Sequence, residues 1–140
     1  MRLVLDTNVI VVAMRSPKGA SAALLMAARR SEVTLLANVA LVLEYEAICM
    51  LAEHRVAAEL SEREASIFVD AVLAMVEPVE SHFLWRPQLR DPSDELVLEA
   101  AVNGQADAIV TFNQRGFDEA PSKFGIELWS PSESLRRIRK

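Results

Sequence analysis

Asp6, Thr7 and Asn8 follow the short apolar run Arg2-Leu3-Val4-Leu5, so a carboxylate, a hydroxyl and an amide leave one buried strand together. Open α/β sheets bind ligands in the crevice outside the carboxyl ends of their strands, and these three side chains would point there. Two further acids stand on apolar helix faces. Glu44 shares a three-and-four spacing with Leu41, Ile48 and Leu51, whereas Glu46 lies on another face. Asp94 shares one with Val97, Leu98 and Ala101, leaving Glu95 and Glu99 on the outer side. An ionised carboxylate among aliphatic side chains costs several kcal/mol unless a cation or hydrogen-bond donors meet it. Oxygen ligands without a His and Cys cluster suit Mg2+ or Mn2+ better than Zn2+. Each acid also has a purely structural reading. Asp6-Thr7-Asn8 reads equally as a turn, Asp91-Pro92-Ser93-Asp94 as a capped helix start, and Glu44 as a partly exposed helical residue. One shared site explains all three at once.

Other chemistries have little support. His54 and His82 lack ligand spacing and no Ser-His-Asp arrangement is visible. The four glycines begin neither a G-x-G nor a G-x-x-x-x-G-K pattern, which excludes those phosphate loops. Cys49, the single cysteine, can form no internal disulfide and reads as a small core residue.

The acids need a frame, and the chain alternates strand-like and helix-like segments as a parallel α/β sheet requires. Strand patterns cover Arg2 to Leu5, Val33 to Ala37, Ala108 to Phe112 and Ile126 to Ser130, and the irregular stretch Glu77 to Trp85 is a further candidate. After the first strand the pattern predicts a polar turn, then a helix over about Pro17 to Arg30 with alanines and Leu24 at helical spacing. Helices are also predicted over Val39 to His54, Ser61 to Val76, Asp91 to Asn103 and from Ser130 to the end. Ser61 with Glu64, and Ser130 with Pro131 and Glu133, have the composition of helix starts.

A length of 140 residues and a hydrophobic content of 51% fit one domain, 1–140, with one core. Charges interrupt every apolar run before the ~20 residues of a membrane span, and Met1 leads straight into a strand pattern, so the sequence predicts a cytoplasmic protein. A net charge of −5 runs against a nucleic-acid partner, but basic residues are grouped. Arg136, Arg137, Arg139 and Lys140 close the chain, and Arg15, Lys18, Arg29 and Arg30 form a second group. These read as anion-binding surface or as solubilising charges at helix ends.

Five blocks in this order, Leu5-Asp6-Thr7-Asn8-Val9, Glu44-Tyr45-Glu46, Asp91-Pro92-Ser93-Asp94, Ala106-Asp107-Ala108-Ile109-Val110-Thr111-Phe112-Asn113, and Phe124-Gly125-Ile126 before Ser130-Pro131, resemble PIN-domain proteins. The likeness covers essentially the whole chain and is greatest to the branch that supplies toxins of toxin-antitoxin pairs. It implies a PIN-like three-layer α/β/α fold with a five-stranded parallel sheet of order 3-2-1-4-5. It also implies a Mg2+- or Mn2+-dependent ribonuclease, a hydrolase of ester bonds that leaves a 5'-phosphate and a 3'-hydroxyl. By position, Asp6, Glu44 and Asp94 match the acidic catalytic and metal-holding triad. Thr7 or Asn8 would support Asp6, and Thr111 matches the hydroxyl at the end of the fourth strand. Many members carry a further Asp two residues beyond that hydroxyl, where this chain has Asn113. An amide adds no negative charge, so one firmly bound ion is expected, with Asp91 or Asp118 as compensation. Arg15, Lys18 and Arg115 are the candidate RNA contacts. The resemblance further implies RNA as substrate, an antitoxin protein as partner and a homodimer, with the apolar stretch from Ile67 to Met75 as one surface for either.

Two competing readings remain. Haloacid-dehalogenase-like phosphatases also begin with an acid after a first strand, but they use Asp-x-Asp where this chain has Asn8. A PIN-fold binding module with weak or no catalysis, docking an antitoxin or RNA, is consistent with Asn113 and the acidic balance.

Overall fold

The computed structural model describes residues 1–82 and 87–139. The chain runs β1 (Arg2–Leu5), α1 (Thr7–Arg15), α2 (Ala20–Arg29), β2 (Thr34–Ala37), α3 (Val39–Cys49), α4 (Ala52–Ala57), α5 (Glu62–Met75), β3 (Val76–Pro78), α6 (Pro92–Asn103), β4 (Ala108–Val110), β5 (Glu127–Trp129) and α7 (Pro131–Ile138). Single 3-10 turns at Gln114–Gly116 and Pro121–Phe124 lie between β4 and β5.

The five strands pair in parallel in the order β3-β2-β1-β4-β5, flanked by helices. Parallel strands covered on both faces read as continuous apolar runs, and Leu3, Val4, Leu5 and Ala108, Ile109, Val110 are all buried. The chain fills the sheet outward from β1 in one direction through β2 and β3, then returns to start β4 on the other side. That reversal leaves a crevice outside the carboxyl ends of β1 and β4. The two ends are tied where they meet, since the Asp6 amide donates to the Val110 carbonyl at 2.9 Å.

The structure corrects the predicted polar turn. Thr7 and Asn8 begin α1, for which Asp6 is the N-cap. The β-branched run Val9-Ile10-Val11-Val12 has modest helix propensity, but Val9, Ile10 and Val11 are buried, and burial outweighs propensity. The helix predicted from Pro17 begins at Ala20, leaving Pro17-Lys18-Gly19 as the turn between α1 and α2. The single helix predicted over Val39 to His54 is two. The chain breaks at Met50 and Leu51, where Leu51 is extended (φ −62°, ψ 137°) and the Arg55 Nε donates to the freed Met50 carbonyl at 3.1 Å. The predicted strand within Glu77 to Trp85 is β3, and the remainder, 83–86, lies outside the described residues. The capping box at Ser61 and Glu64 forms as the sequence suggests, with both bonds present. Cys49 is fully buried, which pushes its thiol up to about 11 and leaves it inert.

Candidate metal and phosphate site

Asp6 is placed by the two elements it joins. Its backbone closes β1 against β4, and its carboxylate sits at the N-terminus of α1, where the helix dipole favours negative charge. One oxygen accepts from the Thr7 backbone N–H at 2.8 Å and the other from the Thr111 hydroxyl at 2.7 Å. Thr111, immediately after β4, is fully buried and is itself held, its Oγ1 accepting from the Asn113 N–H at 3.0 Å and from the Asn8 amide at 3.5 Å. Of the two residues expected to support Asp6, Thr7 reaches it through its backbone N–H, and Asn8 contacts Thr111 rather than Asp6 itself.

Glu44 arrives on α3. Asn38 caps that helix, accepting from the Leu41 N–H at 2.8 Å, and its amide reaches the Leu96 carbonyl of α6 at 3.2 Å. The Tyr45 hydroxyl donates to the Leu5 carbonyl, pinning α3 to the end of β1. The buried stripe of α3 is Leu41, Tyr45 and Cys49. The predicted stripe through Leu41, Glu44, Ile48 and Leu51 is therefore drawn one residue off, and Leu51 is exposed. Glu44 lies at the edge of the true stripe, half-buried, and its Oε2 is shut off from solvent with no hydrogen-bond partner among the described residues.

Asp94 comes from the first turn of α6. Asp91 performs the capping, its Oδ1 accepting from the Ser93 N–H at 2.8 Å, so the structural reading of this block holds for Asp91. Asp94 is free of that duty and is buried with Val97, Leu98 and Ala101 on the face that meets β1, β2 and β4. Glu95 accepts from the backbone N–H groups of Gln88 and Leu89, fastening the segment before Asp91 onto the helix.

The electrostatics record the crowding. Burial is the largest cause that holds the Asp6 carboxyl above its ordinary value, opposed by the Thr111 and Thr7 donors and reinforced by the charges of Glu44 and Asp91. Asp94 is pushed up to about 6, first by burial and then by the charges of Asp6, Asp91 and Glu44. The Tyr45 hydroxyl is held well above its ordinary value, first by burial and then by Asp6, Glu44 and Cys49, and stays protonated. Three carboxylates from three elements thus oppose one another at the switch point of the sheet. Among the described residues no group of three His, Cys, Asp or Glu side chains is placed to hold a metal ion. The donor chemistry fits a hard divalent cation, because the acceptors are oxygens, one of them is buried without a donor, and one carboxyl resists its own charge.

Beside the acids a cleft of about 500 Å³ is lined by Gln88, Leu89, Arg90, Asp91, Asp94, Asn113, Arg115, Gly116 and Asp118. It brings Arg115 and Asp118 beside Asp91 and Asp94. Arg90, which sequence reasoning missed, lines the same cleft. Arg15 and Lys18 are not brought there. The nine residues of α1 carry Arg15 away from Asp6 by ~13 Å at 1.5 Å per residue, and its guanidinium lies 3.3 Å from the His54 Nδ1. A basic residue just before Asp91 was the available signal for Arg90.

A profile of the PIN domain matches residues 2–115, and the chain belongs to the PIN-domain family. Its members are generally nucleases, hydrolases that usually employ divalent metals. No curated protein and no solved structure matches the chain.

Proposed function

We propose that this protein is a divalent-metal-dependent ribonuclease that hydrolyses RNA phosphodiester bonds, the toxin of a toxin-antitoxin pair. The observation that carries the catalytic part is the mutual opposition of Asp6, Glu44 and Asp94, with Asp94 pushed up to about 6 and Glu44 Oε2 buried without a donor. Asp6 and Asp94 are the residues that would hold Mg2+ or Mn2+, with Glu44 as a further ligand or as the base toward the attacking water. When bound, such an ion supplies Lewis acidity to a scissile phosphate and makes water a better nucleophile at neutral pH. The chain's own part is positional. Thr111 and the Thr7 N–H fix both oxygens of Asp6, so that it enters the reaction in one orientation. Tyr45 holds α3, and with it Glu44, against the end of β1. Arg90 and Arg115 form no ion pair among the described residues and would take the phosphates beside the scissile one, for which their planar guanidinium groups suit.

The partner reading rests on a second surface. Met14, Leu25, Met26, Ile67, Phe68 and Met75 line an apolar groove of about 630 Å³ between α1, α2 and α5, and Ile67 is exposed there. A groove of that character accepts an amphipathic segment, here assigned to an antitoxin, or a second copy of the chain. The deciding assay for the activity is a gel of the purified chain on structured and unstructured RNA with Mg2+, Mn2+ or EDTA, beside Asp6→Asn. Cleavage in Mg2+ or Mn2+ that disappears in EDTA and in Asp6→Asn is the expected result. Cleavage that survives both would overturn the proposal, and RNA binding without cleavage would favour the binding-module reading.

A further inference from the structure

Gly116 closes the 3-10 turn that follows β4, and its backbone is not in the left-handed region; among the described residues Gly125, at φ 73°, is the glycine that is. An L-residue could therefore adopt the Gly116 backbone without strain. Its side chain is what would not fit. A Cβ built there would stand 2.5 Å from Asp94 Oδ2 and 2.7 Å from Asn113 Nδ2. The contrast with Gly104 shows why this matters. At Gly104 a Cβ would meet the Ala100 backbone carbonyl at 2.8 Å and Val79 at 2.9 Å, which is a packing requirement of the fold. At Gly116 the obstructed atoms are the tips of two side chains that belong to the acid cleft.

The geometry points to Gly116 as a positioning residue, whose missing side chain lets the Asp94 carboxylate and the Asn113 amide occupy one corner of the cleft together. The functional consequence rests on the proposed role of Asp94 as a metal-holding residue. A methyl group at 116 would be accommodated by rotating those flexible tips, which costs the fold little but displaces the Asp94 carboxylate from the place it holds in the cleft. Residues that orient metal ligands typically change metal affinity ~10–100-fold when replaced. The amide of Asn113 matters here because it adds no charge to a corner already crowded with carboxylates, so room for Asp94 is set by shape.

The test is Mn2+ titration by calorimetry of the full chain as wild type, Gly116→Ala, Gly104→Ala, Asp94→Asn and the Gly116→Ala/Asp94→Asn pair, with thermal unfolding of each and the Asn113 side-chain amide resonances recorded in EDTA. Gly116→Ala is expected to keep its Tm, move the Asn113 amide resonances and lose Mn2+ affinity by at least tenfold, an effect that vanishes in the Asp94→Asn background. Gly104→Ala is expected to do the reverse, losing stability with Mn2+ affinity retained. Unmoved Asn113 resonances together with wild-type Mn2+ affinity in Gly116→Ala would overturn the inference, as would a fall in Tm as large as that of Gly104→Ala. A wild type that binds no Mn2+ would instead overturn the proposed function, and the metal-free Asn113 resonances would then decide the role of Gly116 alone.

Discussion

Replacing Asp94 by Asn should stabilise the metal-free protein at neutral pH while removing its activity. In the folded chain the Asp94 carboxyl is pushed up from 3.8 to about 6, so ionised Asp94 opposes folding above pH 6. A shift of a little over two units at 1.36 kcal/mol per unit corresponds to about 3 kcal/mol. The sign follows from proton binding. Between about pH 4 and 6 the folded state holds a proton that the unfolded state has lost, so this group's contribution to stability is greatest below pH 4 and declines as pH rises to 6. The substituted amide must still find partners in a buried corner, which reduces the gain to roughly 1–3 kcal/mol. For a domain of this size that is a rise in Tm of roughly 3–10 °C. Thermal unfolding of wild type and Asp94→Asn in EDTA at pH 7.5 and pH 4 measures it directly. The account requires a clear gain at pH 7.5 that shrinks toward zero at pH 4. A variant less stable than wild type at pH 7.5, or equally shifted at both values, would refute the claim that Asp94 is held ionised against its neighbours.

Other substitutions probe the supports. Thr111→Val removes the hydroxyl that donates to Asp6 at 2.7 Å and should cost about 1–2 kcal/mol of stability, read by urea unfolding at pH 7.5, with less loss at pH 4 where Asp6 carries less charge. Tyr45→Phe leaves the Leu5 carbonyl without its donor and should also cost about 1–2 kcal/mol, while Mn2+ affinity falls because α3 and Glu44 lose their tether. Arg90→Ala and Arg115→Ala should each weaken binding of a short RNA to the Asp6→Asn protein, with the slope of affinity against salt falling by ~1 per arginine, whereas Arg15→Ala should leave that slope unchanged.

Much of the frame is visible in the residues themselves. The uninterrupted Leu3-Val4-Leu5 run, the Ser61 and Glu64 cap, and the stripe of Asp94 with Val97, Leu98 and Ala101 are local patterns, and the structure reproduces each. What was not legible depends on contacts made only after folding. Val9 to Val12 read poorly as helix because their burial comes from elements far along the chain. The break at Met50 and Leu51 carries neither Gly nor Pro, and its stabilising bond comes from Arg55, five residues on. Tyr45 looked like a neighbour of Glu44 rather than a tether, because its partner is the Leu5 backbone, 40 positions earlier. Arg90 and Gly116 have no periodic signature at all. They acquire meaning when the segment before α6 and the turn after β4 close on one cleft. The spacing that puts Glu44 and Asp94 beside apolar helix faces was readable from the sequence, but the two donors that fix Asp6 and the burial of one Glu44 oxygen were not.

Calorimetric titration of Mn2+ into the EDTA-freed and dialysed chain, beside Asp6→Asn and Glu44→Gln, tests most directly whether these carboxylates form a cation site. The account predicts saturable binding to the wild type with one firmly held ion, weakened by each substitution. Wild-type heats that match those of Asp6→Asn would contradict it.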